Sequence, residues 1–148
     1  MVVRLMQSEA SLYKFESGKQ MPVKSAVTLL YNILHQNRYY PLYVGMVIGG
    51  LDDKPRLFEI GADGSVIEQK YVSVGSGEMF AFGYLENNYK ENKTVKENTK
   101  LAVKAVATAM KRDLFTGDGI MLVSITKSGY KEYSKEEIGA LLAEKEKE

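Results

Sequence analysis

The sequence predicts an α+β fold in which helices and antiparallel hairpins segregate into layers. Three observations carry that prediction. Two helix-period segments open the 148-residue chain, and the middle switches to short apolar runs separated by turn residues. The second half returns to helix period before a closing hairpin and a last helix. The order is therefore αα, βββ, αα, ββ, α, whereas a doubly wound parallel sheet would alternate strand with helix. No internal repeat at solenoid or propeller period is present, and the length suits a single domain over residues 1–148.

The elements follow in order. From Val2 to Glu16, residues Val2, Leu5, Met6, Leu12, Tyr13 and Phe15 fall near one broad face, and Gly18 supplies a stop. No capping signal precedes this helix, so a leading segment is expected ahead of it. Pro22 suits the first turn of a second helix, where Val23, Ala26, Val27, Leu30, Ile33 and Leu34 form an apolar stripe ending before Pro41. These two helices are expected to pair antiparallel. Leu42 to Ile48 reads as a buried strand ending at Gly49-Gly50, with turn chemistry from Asp52 to Pro55. Arg56 to Gly61 is a second strand, and Asp63-Gly64 marks a hairpin into Ser65 to Val74.

Gly75-Ser76-Gly77 turns the chain into a helix from Glu78 to Tyr89, whose apolar residues lie nearly all round and suggest burial between layers. Thr94 with Glu97 is a capping box for the fourth helix. Its inward residues are expected to be Val95, Ala102, Val103, Val106, Ala109 and Met110, with Lys96, Lys100 and Lys104 facing water. Thr116 to Gly119 forms a tight turn, Ile120 to Thr126 and Gly129 to Tyr133 a hairpin, and Ser134 with Glu137 caps the last helix. The terminal EKEKE reads as frayed and solvated.

Composition narrows the function. Lys and Arg number 20 against 19 Asp and Glu, a net charge of +1, which argues against a nucleic-acid binder driven by counterion release. A chain with no cysteine has no disulfide, no thiol nucleophile and no cysteine-ligated metal. His35 is the single histidine, so a His-based metal site or a Ser–His triad is improbable, and no cofactor is expected. The longest apolar stretch, Leu42 to Leu51, falls short of the roughly 20 residues a bilayer span needs. These features suggest a soluble protein of the cytoplasm.

Few segments carry chemistry. Gly75-Ser76-Gly77 before a helix could hold an anion, but Phe80 stands where a dinucleotide fingerprint needs glycine and Glu78 competes with a phosphate. His35 reads as a surface or helix-end histidine, Asp52-Asp53 as a solvated turn, and Tyr39, Tyr40 and Tyr43 as core or contact residues. Asp113 and Thr116 are more informative, since an acid at a helix C-terminus is disfavoured by the dipole. It needs an adjacent cation, a loop N–H or a site; on spacing alone the structural explanation is preferred.

Taken together, YVSVGSGEMFAFGYLENNY and KRDLFTGDGI resemble the C-terminal part of an archaeal-type proteasome core-particle β subunit. The helix pair and YYPLYVGMVIGGLDD are similar to that family's central helices and following strand. The resemblance implies an αββα sandwich of antiparallel sheets flanked by helices, the N-terminal-nucleophile hydrolase fold, here without its leading strands. It also implies a threonine-type endopeptidase of unfolded proteins, assembled in stacked heptameric β and α rings. In that chemistry an N-terminal threonine hydroxyl attacks the peptide carbonyl while its own α-amine accepts the proton. An α-amine titrates near 7.7–8.0, so it accepts protons at neutral pH without a histidine.

By the same resemblance, Ser76 matches the serine of the family's GSGS-like turn, Asp113 the aspartate of its RDxxSGDG motif, and Thr116 that motif's serine. Glu78 departs from the turn's second serine and adds a negative charge. The nucleophilic threonine, its aspartate and lysine partners and the oxyanion glycine belong, in the family, ahead of the first helix. The chain as written is therefore expected to supply supporting residues and to be inactive alone. The alternative is a non-catalytic structural β-ring subunit.

Overall fold

Helices form where the sequence places them, but the apolar face expected of the first helix is not enclosed within its unit: none of its residues is buried, and Leu5, Leu12 and Phe15 are exposed. The structure, a computed structural model, describes residues 2–36, 39, 44–61 and 64–144. Two compact units divide between Val72 and Ser73.

In the first unit, α1 (Val2–Ser17) packs on α2 (Val23–Gln36), and Gly18 ends α1 at φ +70°, a left-handed conformation that favours glycine. Three antiparallel strands follow: β1 (Met46–Leu51), β2 (Pro55–Ile60) and β3 (Val66–Glu68), in the order β1-β2-β3. The register pairs Ile48 with Phe58 and Ile60 with Val66. Val23, Val27 and Leu30 of α2 bury against Phe58 and Ile60 of β2, with Val2, Met6, Leu34, Met46 and Ile48 packed around them.

Three details differ from the sequence expectation. The first strand runs through Gly49-Gly50 rather than ending there, and it alternates: Met46 and Ile48 pack on the core while Val47 is exposed. Gly50 is needed because a Cβ there would lie 2.5 Å from Val23 Cγ2, so α2 rests on the strand. The third strand stops at Glu68, opposite Phe58, with one further bond from the Gln69 N–H to Leu57 O, rather than running on to Val74. Asp52 is not a merely solvated turn residue. It accepts a hydrogen bond from the first N–H of α2, at Val23, and pairs with Arg56 Nε at 3.0 Å. The expected ends at Pro41 and Leu42, the Tyr40 and Tyr43 readings, Asp63 of the hairpin and the last four residues lie outside the described residues.

The second unit holds α3 (Glu78–Asn88), α4 (Val95–Arg112), the antiparallel hairpin of β4 (Val123–Thr126) and β5 (Gly129–Glu132), and α5 (Lys135–Ala143). Both capping boxes form. Thr94 accepts from the Glu97 N–H and Ser134 from the Glu137 N–H, with each glutamate bonding back to its cap. Helix α4 packs against α3, α5 and β4. Val103, Leu122, Ile138 and Leu141 form the core beneath it.

Two expectations about faces are corrected here. Only Ala81 and Leu85 of α3 are buried, while Met79 is 85% exposed and Phe80 and Phe82 are exposed too. Residues apolar all round define no single face, so within this unit only the stripe that meets α4 is covered. On α4 the buried residues are Thr99, Leu101, Val103, Ala105 and Ala109, whereas Val95, Ala102 and Val106, all expected to face inward, are exposed. The enclosed positions are those that meet α3, α5 and β4, the neighbours α4 packs against.

Candidate functional site

The site begins with a turn. Gly75 has φ +117°, which side-chain-bearing residues rarely adopt, and the Glu78 N–H closes the turn on Gly75 O at 3.1 Å. Gly77 then caps α3, its carbonyl accepting from Phe80 and Ala81. Ser76 is held between the two glycines at the head of the helix.

The opposing half comes from the end of α4. Asp113 is its C-cap residue and leaves helical geometry at ψ 125°, its N–H donating to Ala109 O at 2.8 Å. The chain therefore turns at Asp113, and three residues later Thr116 swings back. Ser76 Oγ donates to Asp113 Oδ2 at 2.6 Å, and Thr116 Oγ1 donates to the same oxygen at 2.5 Å. One carboxylate thus joins a hydroxyl three residues away to another 37 residues away in sequence.

The electrostatics follow from these bonds. The Ser76 hydroxyl first, then the Thr116 hydroxyl and the N–H groups of Phe115 and Thr116, hold the Asp113 carboxyl below its ordinary value against the opposing effect of burial. The loop N–H groups answer why an acid stands at a helix C-terminus. Each hydroxyl has one proton, and both protons are directed to Asp113. Their lone pairs are left to accept, so the cluster receives N–H donors and disfavours anions.

All three residues singled out from the sequence, Ser76, Asp113 and Thr116, are brought together. Glu78 stands in the first turn of α3 and is exposed. The glycine turn serves to present a serine to a carboxylate rather than N–H groups to a phosphate. His35 stacks on Tyr31 with ring centroids 5.5 Å apart, away from any such cluster in its unit. Sequence reasoning placed Gly77 in the turn and Ala109 on the inward face of α4 but missed that they meet beneath the cluster: a Cβ on Gly77 would lie 2.9 Å from Ala109 Cβ. The available signal was a small residue one helical turn before the acid.

Other places offer less. A cavity of about 320 Å³ beside α1 and α2 is lined by Met6, Ala10, Met21 and Ala26 with Ser11, Lys14 and Gln20, and the Ser11 hydroxyl there donates to Gln7 O of its own helix. Among the described residues, no group of acidic or histidine side chains is arranged to hold a metal ion. No helix among them is long and apolar enough to cross a membrane.

Comparison with known proteins gives a consistent answer. The family model described as Proteasome subunit matches residues 1–125. Proteasome subunit beta 2 of Pyrococcus furiosus is 48% identical over 141 residues, which is 95% of this chain and 68% of that protein. Proteasome subunit beta 1 of Thermococcus sibiricus is likewise 48% identical, with the same coverage. Proteasome subunit beta of Methanocaldococcus fervens is 43% identical over 146 residues, 97% of this chain and 65% of the relative.

Proposed function

The chain belongs to the proteasome subunit family, as a β subunit of archaeal type and hence a core subunit that assembles with other proteasome subunits, and from that premise we propose that it serves a threonine-type endopeptidase. Residues 1–148 are read as one β-type domain of the α+β, N-terminal-nucleophile kind. In this reading Ser76, Asp113 and Thr116 receive the α-amine of a leading threonine.

The observation that carries the proposal is the pair of hydroxyls tied to one carboxylate. A neutral amine has two N–H donors and one lone pair. If the outward lone pairs of Ser76 and Thr116 accept the two N–H groups, the amine lone pair is left free to take the nucleophile's proton. Asp113 acts at one remove: by accepting both hydroxyl protons it fixes which way the hydroxyls face. Its negative charge also favours an ammonium over a neutral amine, so it sets the pH at which the base becomes available. No metal or cofactor enters this scheme.

The same reading takes the substrate as unfolded polypeptide, the assembly as stacked heptameric β and α rings, and the location as the cytoplasm. Glu78 favours a second reading, a structural β-ring subunit, because it adds negative charge where the family's turn has serine.

The test is hydrolysis of a small reporter peptide by particles in which this subunit, carrying a leading threonine ahead of α1, is the single β type. Turnover that falls at least tenfold in Ser76→Ala and Asp113→Asn particles, with assembly intact, is the expected result. Assembled particles without turnover support the structural reading. Full turnover in the Ser76→Ala and Asp113→Asn particles removes the cluster from the chemistry.

A further inference from the structure

The two glycines of the Gly75-Ser76-Gly77 turn differ in what they require. Gly75 needs its backbone freedom, at φ +117°, and a Cβ there would meet nothing within 4 Å. Gly77 is the reverse. Its φ of −85° and ψ of 8° are open to most residues, yet it is buried and has no room for a side chain. A Cβ at Gly77 would lie 2.6 Å from Thr116 Oγ1, 2.9 Å from Ala109 Cβ and 3.4 Å from Asp113 Oδ2. Two of these approaches are closer than real Cβ atoms come.

The two close contacts yield in different ways. Thr116 can rotate its hydroxyl aside, but doing so gives up the 2.5 Å bond to Asp113. The Ala109 methyl is fixed on helix α4, so relief on that side requires the last turn of α4 to draw back from the head of α3. That movement carries Asp113 away from Ser76, since the Asp113 N–H is bonded to Ala109 O. Either response takes a partner from the carboxylate.

We infer that Gly77 is a positioning residue of the Ser76–Asp113–Thr116 cluster, its missing side chain being the space into which the head of α3 and the end of α4 close. The inference rests on the reading of that cluster proposed above, and it assigns no contact with substrate to Gly77.

The experiment is a titration of the Asp113 carboxyl in the full chain by infrared spectroscopy with carbon-13-labelled aspartate. The sequence has five aspartates, so the Asp113 band is assigned by its loss in Asp113→Asn. Gly77→Ala is expected to move the Asp113 midpoint upward, toward the ordinary value of 3.8. Adding Ala109→Gly to it should bring the midpoint part of the way back, because the fixed contact is then relieved. A loss of stability by itself moves the thermal midpoint and leaves this titration where it was. A folded Gly77→Ala chain whose Asp113 titrates as in the unaltered chain overturns the inference.

Where Gly77→Ala alone does not fold, the comparison is Gly77→Ala/Ala109→Gly against Ala109→Gly. There the contact with the Thr116 hydroxyl remains, so a higher midpoint in the double variant is expected and equal midpoints overturn the inference. The titration needs no turnover, so the two ideas fail separately. Undiminished hydrolysis by Ser76→Ala particles sinks the cluster's proposed role, whereas an unmoved titration sinks the role of Gly77.

Discussion

At the scale of the residue, Asp113 gathers most of what is specific to this chain. Its carboxyl is held down first by the Ser76 hydroxyl and then by the Thr116 hydroxyl. The order predicts that Ser76→Ala raises the Asp113 midpoint more than Thr116→Val does, and that Thr116→Ser, which keeps the oxygen, leaves it in place; the labelled-aspartate titration reads all three. A carboxyl lowered on folding contributes stability that is complete above its ordinary value near 3.8 and is lost as pH falls through the lower folded value. Acid unfolding of Asp113→Asn, compared with the unaltered chain, should therefore differ above that window and converge below it. A constant difference down to the lowest pH would contradict the assignment. Sequence alone marked Asp113 as an acid in an awkward place on a helix dipole. It did not reveal that two loop N–H groups and two hydroxyls answer it, because one of the hydroxyls comes from a segment 37 residues away.

At the scale of the element, the caps and the close contacts behave differently. The Thr94–Glu97 and Ser134–Glu137 boxes are each complete within four residues, and both were legible in the sequence for that reason. Thr94→Ala should cost about 1 kcal/mol of stability and Thr94→Gly only a few tenths, as denaturant midpoints will show. Helix α2 is started differently, by Asp52 from the far end of strand β1. The Asp52 carboxyl is lowered to about 2, through its side-chain hydrogen bond with Asp53 first, and then through the Arg56 guanidinium and the Val23 N–H. Arg56 also reaches Asp53 at 2.8 Å and Glu68 at 3.2 Å, so one guanidinium ties the turn to strand β3. Gly50 sits at the same junction, and Gly50→Ala drives a methyl into Val23. A destabilisation of about 1–3 kcal/mol is expected, reduced when Val23→Ala is added. Additive effects of the two substitutions would show that they do not share a contact.

At the scale of the whole molecule, what the chain leaves uncovered matters as much as what it buries. Leu114 is 96% exposed and Phe115 86%, next in sequence to the Asp113 cluster, and Met121 is 88% exposed. A β subunit that assembles with other proteasome subunits has use for such surface. Leu114→Ser/Phe115→Ser is expected to change the stability of the chain by no more than about 0.5 kcal/mol, as surface substitutions do, and to weaken co-assembly measured by sedimentation. Unchanged co-assembly would place these side chains outside every subunit contact. The sequence by itself determined the α+β class, the starts of α4 and α5, the family and the three polar residue types of the cluster, because capping, period and motif are written in neighbouring residues. Tertiary structure alone decided which faces of α3 and α4 are enclosed, that β3 ends at Glu68, that Asp52 caps α2, and that Gly50 and Gly77 are spaces for a neighbouring side chain. Those outcomes depend on how closely distant backbones approach, and a distance between two segments is a property of neither segment's own sequence.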